Sequence, residues 1–348
     1  MHSSLIAWIM RAIPFGTIIM YGALGETVTE KSGNLNLGVP GIMYLGGFAG
    51  FASAWAYENS AANPNGFVSI LIALSCAILA SMAGGLIYAF LTISLRANQN
   101  VTGLALTTFG MGVANFFGVF ILNGASYSAA PVANKAFSAK IPVLSGLGDI
   151  GQVVFSYGFL VYAAILLAVV LHWFLTRTRA GLNLRAVGEN PATADAAGIN
   201  VTLYKYLSTC IGAGICGIGG LYYVLDYNQG IWATTGQIEA LGWLAVALVI
   251  FTTWKPLNAI WGAYLFGMLY WLYQFLPTLL GITMASHITD LVQMLPYVVT
   301  IIVLIVVSMR KKKENQPPAH LGLAYFREER QGCLPPWGKV AAAPLEAG

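Results

Sequence analysis

The residues of this chain that could do chemistry are concentrated in a polar segment, residues 25–43, between two apolar stretches. Its polar members include two carboxylates, one lysine, one serine and two asparagines: Glu26, Glu30, Lys31, Ser32, Asn34 and Asn36. Non-helical backbone persists at membrane depth only where protein or a water-filled cavity satisfies its amides, so one interpretation is an element that lines a pathway. The other is an ordinary polar turn, in which glycine permits tight geometry. The residue types leave both interpretations open.

A second polar segment, residues 176–205, has the spacing of a short helix. Asn190 suits the N-cap position, Pro191 is favoured at the first helical residue, and Gly198 fits the position that ends a helix. These signals predict a helix of about two turns outside the bilayer. Because isolated helices shorter than about 12–15 residues rarely persist, this helix needs a docking surface. That surface is either the chain's own spans or a cytoplasmic partner.

No pattern of catalytic or metal-binding residues accompanies these segments. The four histidines are dispersed, and the sequence contains no H-E-x-x-H, G-x-S-x-G or Walker A motif. We therefore predict that the chain is not an enzyme, with no catalytic residue, no metal site and no cofactor. If ATP drives it, another polypeptide hydrolyses the ATP. A proton-coupled transporter would more often bury a carboxylate or an Arg–Asp pair at mid-span, whereas Glu58, Asp226, Glu239 and Asp290 fall near predicted outer ends or interfaces.

The elements that position these segments are apolar helices. The 348 residues are 57% hydrophobic and 9% charged, with a mean hydropathy of +0.71, whereas a soluble domain carries roughly 25% charged residues. A bilayer core needs about 20 apolar residues per helix. The spans predicted on this basis are 4–25, 38–57, 67–95, 101–122, 155–175, 206–226, 237–253, 257–279 and 290–308. We predict an all-α, polytopic membrane helical bundle of about 8–10 transmembrane helices.

The placement of Lys and Arg predicts the orientation of this bundle. With nine spans and the C-terminal tail inside, the outer loops hold only Lys135 and Lys140, and the other loop cations lie inside. This arrangement places the N-terminus outside, and a re-entrant segment near residues 28–42 would reverse it. We expect a transmembrane domain over residues 1–309 and a partly disordered cytoplasmic tail over 310–348. The small net charge of +4, clustered at such flanks, fits membrane lipid and no nucleic acid as partner.

Both polar segments resemble one known family. Residues 25–43 read G-E-x-x-x-E-K-S-G-N-L-N-L-G-V-x-G-I-M, which resembles the N-terminal signature of permeases in the ATP-binding cassette (ABC) importers for branched-chain amino acids, ribose and nucleosides. The inner loop, residues 176–205, is similar to the coupling segment of that family in its stretch R-A-G-L-N-L-R-A-V-G-E-N-P-x-x-A-D-A-A-G-I-N-V. Residues 242–248, 255–259 and 322–330 also resemble this family, and the nucleoside (guanosine-type) branch is the most similar.

The resemblance implies a function and a set of partners. The chain would be the permease subunit of an ABC importer in the bacterial cytoplasmic (inner) membrane, carrying a small polar solute, nucleosides in particular. The alternatives are a simple sugar such as ribose or a branched-chain amino acid, and a secondary transporter acting alone. Its partners would be a cytoplasmic ATP-binding subunit, a second and homologous permease, and a substrate-binding protein or lipoprotein.

The resemblance also implies two sets of site residues. The residues expected to couple to the ATPase are Arg185, Gly188, Glu189, Asn190, Pro191, Ala194, Asp195, Ala196 and Gly198. The residues expected to line the pathway or brace the core around it are Glu26, Glu30, Ser32, Asn34, Asn36, Gly38 and Gly41. The chain departs from the family pattern at Pro40, where an acidic residue is expected, and at Thr252–Thr253, where a glycine-rich turn is expected.

Overall fold

The computed structural model describes residues 2–121, 127–140, 148–233, 236–281, 286–310 and 316–326. Almost all of the regular structure in these ranges is helical. In chain order the helices are α1 (His2–Glu30), α2 (Val39–Ser60), α3 (Gly66–Ala89), α4 (Gln99–Ile121), α5 (Pro131–Phe137), α6 (Gly148–Phe155), α7 (Phe159–Arg177), α8 (Arg179–Glu189), α9 (Pro191–Ala196), α10 (Val201–Tyr222), α11 (Gln237–Phe251), α12 (Pro256–Leu280), α13 (Ser286–Gln293) and α14 (Leu295–Arg310). Two π-helical turns, Phe90–Ser94 and Tyr223–Tyr227, extend α3 and α10.

The all-α polytopic prediction is confirmed, and each of the first eight predicted spans coincides with a helix. Among the described residues, five helical stretches are long and apolar enough to cross a bilayer: Ser4–Glu30, Gly66–Ser94, Gln99–Ile121, Phe159–Arg177 and Val201–Tyr227. Several predicted boundaries are wrong, since α7 begins at Phe159 rather than 155 and α10 begins at Val201 rather than 206. The first span does not end at residue 25, because α1 continues through Glu30. The last predicted span is two helices, α13 and α14.

Helix α10 occupies the middle of the bundle, between α1, α2 and α3. Small residues allow its backbone to approach theirs. A Cβ atom at Gly25 would overlap the carbonyl oxygen of Gly212, and one at Gly220 would overlap that of Met43. The outer surface of the bundle is apolar, since α3, α4 and α7 expose large side chains such as Leu79, Phe116 and Leu166. These surfaces suit contact with lipid.

The two ends of the bundle differ in charge. One end, called here the basic end, carries the connections 31–38, 95–98, 178–200 and 252–255, which hold Lys31, Arg96, two arginines of α8 and Lys255. The opposite end holds Lys135 and Lys140 among the described residues. Cytoplasmic loops of membrane proteins carry an excess of Lys and Arg, so this distribution predicts that the basic end faces the cytoplasm and that the N-terminus of α1 lies outside.

The end opposite the basic end, called here the outer end, carries the described residues between α4 and α7. Strand β1 (Tyr127–Ala129) pairs antiparallel with β2 (Ile231–Ala233), with Ser128 opposite Trp232. Helix α5 follows β1, and its first N–H groups are capped by Glu58: both carboxylate oxygens accept, from Val132 N–H at 3.1 Å and from Ala133 N–H at 2.7 Å. A carboxylate stabilises a helix N-terminus, which gives Glu58 a structural role at the outer end.

Candidate site where the signature segment meets the inner loop

The signature segment, residues 25–43, has three parts in the structure. Residues 25–30 complete α1, residues 31–38 form a turn, and residues 39–43 begin α2. The seven predicted residues of this segment are all buried. The segment is therefore not an exposed polar turn, although its non-helical part is limited to eight residues.

The two carboxylates lie one helical turn apart on α1, with 1% and 2% of Glu26 and Glu30 exposed. Glu26 Oε1 accepts a hydrogen bond from the backbone N–H of Asn36 at 2.9 Å. Glu30 Oε2 accepts one from the indole N–H of Trp254. Glu26 thus ties the end of α1 to the turn that follows it. Glu30 ties the end of α1 to the turn before α12, which contains Trp254.

The turn after α1 is held by a hydrogen bond within it and by others to α3, α4 and α10. Asn34 Nδ2 donates to Thr209 Oγ1 at 3.1 Å, and the N–H of Gly38 donates to Asn36 Oδ1 at 2.9 Å. The backbone of Leu35 is bound on both sides, because its N–H donates to Gln99 Oε1 at 2.7 Å and its carbonyl accepts from the Tyr88 hydroxyl. The segment is therefore anchored to most of the helices around it.

Gly41 and Pro40 serve helix packing. A Cβ at Gly41 would overlap the Leu106 carbonyl oxygen, which shows how closely α2 approaches α4. Pro40 occupies the first turn of α2, where its missing N–H costs no hydrogen bond, and it lies against Gly242 of α11. The absence of an acidic residue at position 40 is thus compatible with a packing role there.

The departure at Thr252–Thr253 has a backbone counterpart. Thr253 and Trp254 both adopt φ of +54°, a left-handed conformation that favours glycine. A glycine-rich pattern would suit this turn, and the present chain adopts the conformation without glycine. The turn positions the Trp254 indole toward Glu30.

The inner loop, residues 176–205, forms two helices, and the predicted caps are confirmed. Asn190 Oδ1 accepts from the N–H of Thr193 at 3.0 Å, Pro191 begins α9, and Gly198 has φ of +84° beyond its end. The helix has six residues. Helix α8 precedes it, capped by Thr178, whose Oγ1 accepts from the N–H of Gly181 at 3.0 Å.

Helix α9 has a packed side and an exposed side. Pro191 and Ala194 are buried, and Ala194 forms a small apolar cluster with Val187 and Val201. The exposed predicted residues of the inner loop are Arg185, Glu189, Asn190, Ala196 and Gly198, and Asp195 is half-buried. Gly188, Pro191 and Ala194 thus hold the helix, and the remaining predicted residues are accessible to a partner.

The two predicted segments meet at Gly188. A Cβ there would overlap the Lys31 carbonyl oxygen and would lie 3.0 Å from its carbonyl carbon and 3.1 Å from the nitrogen of Gly33. Gly33 adopts φ of +88°, which glycine tolerates without strain. The end of α8 therefore rests directly on the turn that follows α1.

The tail segment, residues 316–326, joins both sides of this contact. The N–H of His320 donates to the carbonyl of Gly188 at 3.0 Å, and the N–H of Gly322 donates to the carbonyl of Gly33 at 3.1 Å. The hydroxyl of Tyr325 donates to Asp195 Oδ2 at 3.2 Å, which ties the tail segment to α9 as well. Resemblance marked residues 322–330 as a family feature, but it did not indicate this contact; residues 327–330 lie outside the described part of the chain.

A cavity of about 430 Å³ lies beneath the tail segment. Its lining comes from the turn after α1, the connection between α3 and α4, the inner loop and the tail, and it includes Asn34, Arg96, Asp195, Lys205 and Tyr325. Asn34 is the only one of the seven predicted signature residues on its described lining. The signature segment and the inner loop thus share one cavity at the basic end.

With this geometry established, comparison with known proteins identifies the family. Residues 8–304 match the family described as the branched-chain amino acid transport system / permease component. The chain belongs to this permease family. It is a multi-pass membrane protein and a transport subunit rather than an enzyme, which confirms the resemblance of the two segments. Membership implies association with an ATPase and a substrate-binding protein.

Several curated permeases resemble this one over most of their length. It is 34% identical to the putative glucose ABC transporter permease protein TsgC13 of Haloferax volcanii, over 73% of this chain and 72% of the relative. It is also 34% identical to the guanosine ABC transporter permease protein NupQ of Bacillus subtilis, over 70% and 75%. Identity to the nucleoside ABC transporter permease protein NupC of Lactococcus lactis subsp. cremoris is 31%, over 83% and 88%.

The cytoplasmic surface of this permease also carries a basic cleft. A cavity of about 300 Å³ is lined by Lys31, His172, Arg185, Lys255 and apolar neighbours. Burial, together with repulsion from Arg185, lowers the pKa of Lys31 to about 8. Glu189, on the exposed side of α8, lies near enough to oppose that shift. The cleft borders the exposed residues of the inner loop.

Proposed function

We propose that this chain is the membrane-spanning permease subunit of an ATP-driven importer and that it carries nucleosides across the bacterial cytoplasmic membrane. Two of the relatives are named for guanosine or nucleoside transport. The signature segment and the tail motif resemble the same branch. A simple sugar is the second candidate, because TsgC13, named for glucose, matches the chain at 34% identity.

The motor is proposed to dock on the exposed side of the inner loop. The observation that carries this proposal is the two-sided packing of α9 together with the contact of Gly188 with Lys31 and Gly33. A partner that binds Glu189, Ala196 and Gly198 would push on a helix whose other side is fixed by packing. The displacement would reach α1 through backbone contact, without any flexible connection between them.

The signature residues are proposed to brace the core around the pathway. Glu26, Glu30 and Asn36 each hydrogen-bond to groups of the protein. Gly41 brings two helix backbones together. A residue that contacts a passing solute needs an accessible polar atom, and these side chains are almost completely buried. They would transmit movement of the inner loop to α1, α2 and α12.

The complete importer is proposed to contain two permease chains, the second one a homologue, with a substrate-binding protein or lipoprotein at the outer end. The permease domain would comprise residues 1–309, and part of the tail, residues 316–326, packs on its cytoplasmic face. Residues 327–348 lie outside the described part of the chain.

The docking proposal is tested by reversing charge on the exposed inner loop. We expect Glu189→Arg and Asp195→Arg to leave the protein folded and the ATPase active but to abolish ATP-coupled nucleoside uptake. Lys135→Glu, a charge reversal at the exposed outer helix α5, is the matched control and should transport normally. ATP-coupled uptake that is unaltered in both inner-loop variants would reject the coupling assignment.

A further inference from the structure

A third cavity, of about 320 Å³, lies far from the inner loop, between the outer halves of α1, α10, α11, α12 and α14. The position of Tyr270 along α12 gives the depth of the cavity in the bilayer, and Phe15 stacks on Tyr270. Tyr270 is 14 residues beyond the start of α12 at the basic end, which at 1.5 Å per residue places it about 21 Å along the helix. The cavity thus lies in the outer half of a bilayer core about 30 Å thick.

The lining of this outer cavity is dominated by aromatic rings. Seven of its eleven lining residues are aromatic: Phe15, Tyr223, Tyr227, Tyr270, Trp271, Tyr273 and Tyr297. Several of these rings already pair with one another. Phe15 and Tyr270 stack with centroids 4.1 Å apart and planes at 13°, and Tyr223 and Tyr227 stack at 5.8 Å. Each stacked ring has one face covered by its partner, so a planar solute would meet the other face or displace the partner ring.

One carboxamide lies among the rings. Gln237, in the first turn of α11, is exposed and lines the cavity, and its Oε1 accepts a hydrogen bond from the Tyr223 hydroxyl. A carboxamide presents a donor and an acceptor side by side, which matches the hydrogen-bonding edge of a purine or pyrimidine. Among the described residues that line the cavity, none is charged.

The chemistry of this lining selects among the solutes considered for the family. An amino acid carries two charges. The Arg11 guanidinium lies over the Trp271 ring, 5.2 Å from its centroid, but no described lining residue is a carboxylate, so burying the ammonium group is costly. A simple sugar presents a puckered C–H face rather than a π face, and it needs hydrogen bonds to every hydroxyl that is buried. A nucleobase is neutral and flat, and it stacks on aromatic side chains whatever the pattern of hydrogen-bond donors and acceptors on its edge.

We propose that this outer cavity is the subsite that receives the base of an incoming nucleoside, with Tyr270 and Trp271 as stacking residues and Gln237 on the base edge. The proposal rests on the proposed function, since it assigns a place in this chain to that substrate class. Its position in the outer half suits a solute that arrives from the outer side.

Uptake kinetics in cells that carry the complete importer test this assignment. We expect Tyr270→Leu to raise the KM for guanosine by roughly 5- to 150-fold, the effect of losing one base–aromatic stack, while Tyr270→Phe stays within about threefold of the wild type. Gln237→Ala should raise the KM for guanosine as well. Trp271→Leu should raise the KM for guanosine in the same way as Tyr270→Leu. Trp173→Leu, a lipid-facing substitution on α7, is its matched control and should leave the KM unchanged.

Photolabelling with 8-azidoadenosine keeps the test independent of variants that fold poorly. In the wild-type importer we expect label on peptides that contain residues 223–241 or 264–275. Suppose that the wild type takes up guanosine but that Tyr270→Leu leaves the KM unchanged or the label lies only on other peptides. Either result would overturn the subsite and leave the proposed function intact. Wild-type transport of glucose but not guanosine would overturn both.

Discussion

Gly188 is where a single methyl group should separate the inner loop from the signature segment. In Gly188→Ala the new Cβ overlaps the Lys31 carbonyl oxygen and lies 3.0 Å from the carbonyl carbon. Both neighbours are backbone atoms that no change of side-chain rotamer can move, so α8 must retreat by about 1 Å to reach ordinary van der Waals separation. Such overpacking costs about 1–3 kcal/mol. If that energy destabilises the packing of α8 on the turn after α1, it corresponds to a roughly 5- to 150-fold loss of coupling.

The assay compares ATP hydrolysis with guanosine uptake in proteoliposomes that contain the complete importer. We expect Gly188→Ala to lower uptake per ATP by at least about fivefold, the lower limit of that coupling range, while the complex still assembles. Gly112→Ala on α4 is the matched control, because a Cβ there meets nothing within 4 Å. Equal uptake per ATP in Gly188→Ala and Gly112→Ala would refute the transmission route through Lys31 and Gly33.

Three further outcomes follow from the same contacts. Trp254→Phe deprives buried Glu30 of its indole donor and should lower the free energy of unfolding by about 1–3 kcal/mol in a detergent melt. Trp173→Phe, on the lipid-facing surface, is the control and should stay within about 0.5 kcal/mol of the wild type. Asn190→Ala removes the cap of α9, so it should lower the free energy of unfolding by about 1 kcal/mol and impair coupled uptake. Asn190→Asp should retain both the stability and the uptake. Equal losses in the two variants would contradict the capping role. The pKa of Lys31 is lowered to about 8 in the folded protein, so between about pH 8 and 10 the unfolded chain binds more protons than the folded one. The free energy of unfolding should therefore rise with pH in this range, and Lys31→Gln should reduce that slope. An unchanged slope in Lys31→Gln would contradict the lowered pKa.

The sequence predicted the elements whose signals are local. Hydrophobic runs indicated every span, and the order of Asn190, Pro191 and Gly198 defined α9, because caps and helix ends depend on a few neighbouring residues. The end of α1 was misplaced for the opposite reason. The polar residues after position 25 suggested an interface, whereas Glu30 is buried against Trp254, which is 224 residues away in the chain.

The site itself depends on contacts that no local pattern encodes. Gly188 approaches Lys31 across more than 150 residues, and the tail segment reaches both sides of that contact through backbone N–H groups of His320 and Gly322. Backbone hydrogen bonds are available to any residue type, so the sequence does not reveal them. The outer aromatic cavity was overlooked for a related reason, since Trp and Tyr near membrane interfaces are common in any case.

The most direct test of the central claim is the uptake of radiolabelled guanosine, glucose and leucine by a strain that lacks this gene and by the same strain complemented with it. The account predicts that guanosine uptake falls on deletion, returns on complementation and depends on ATP, while glucose and leucine uptake do not change. Loss of glucose or leucine uptake with guanosine uptake intact would contradict it.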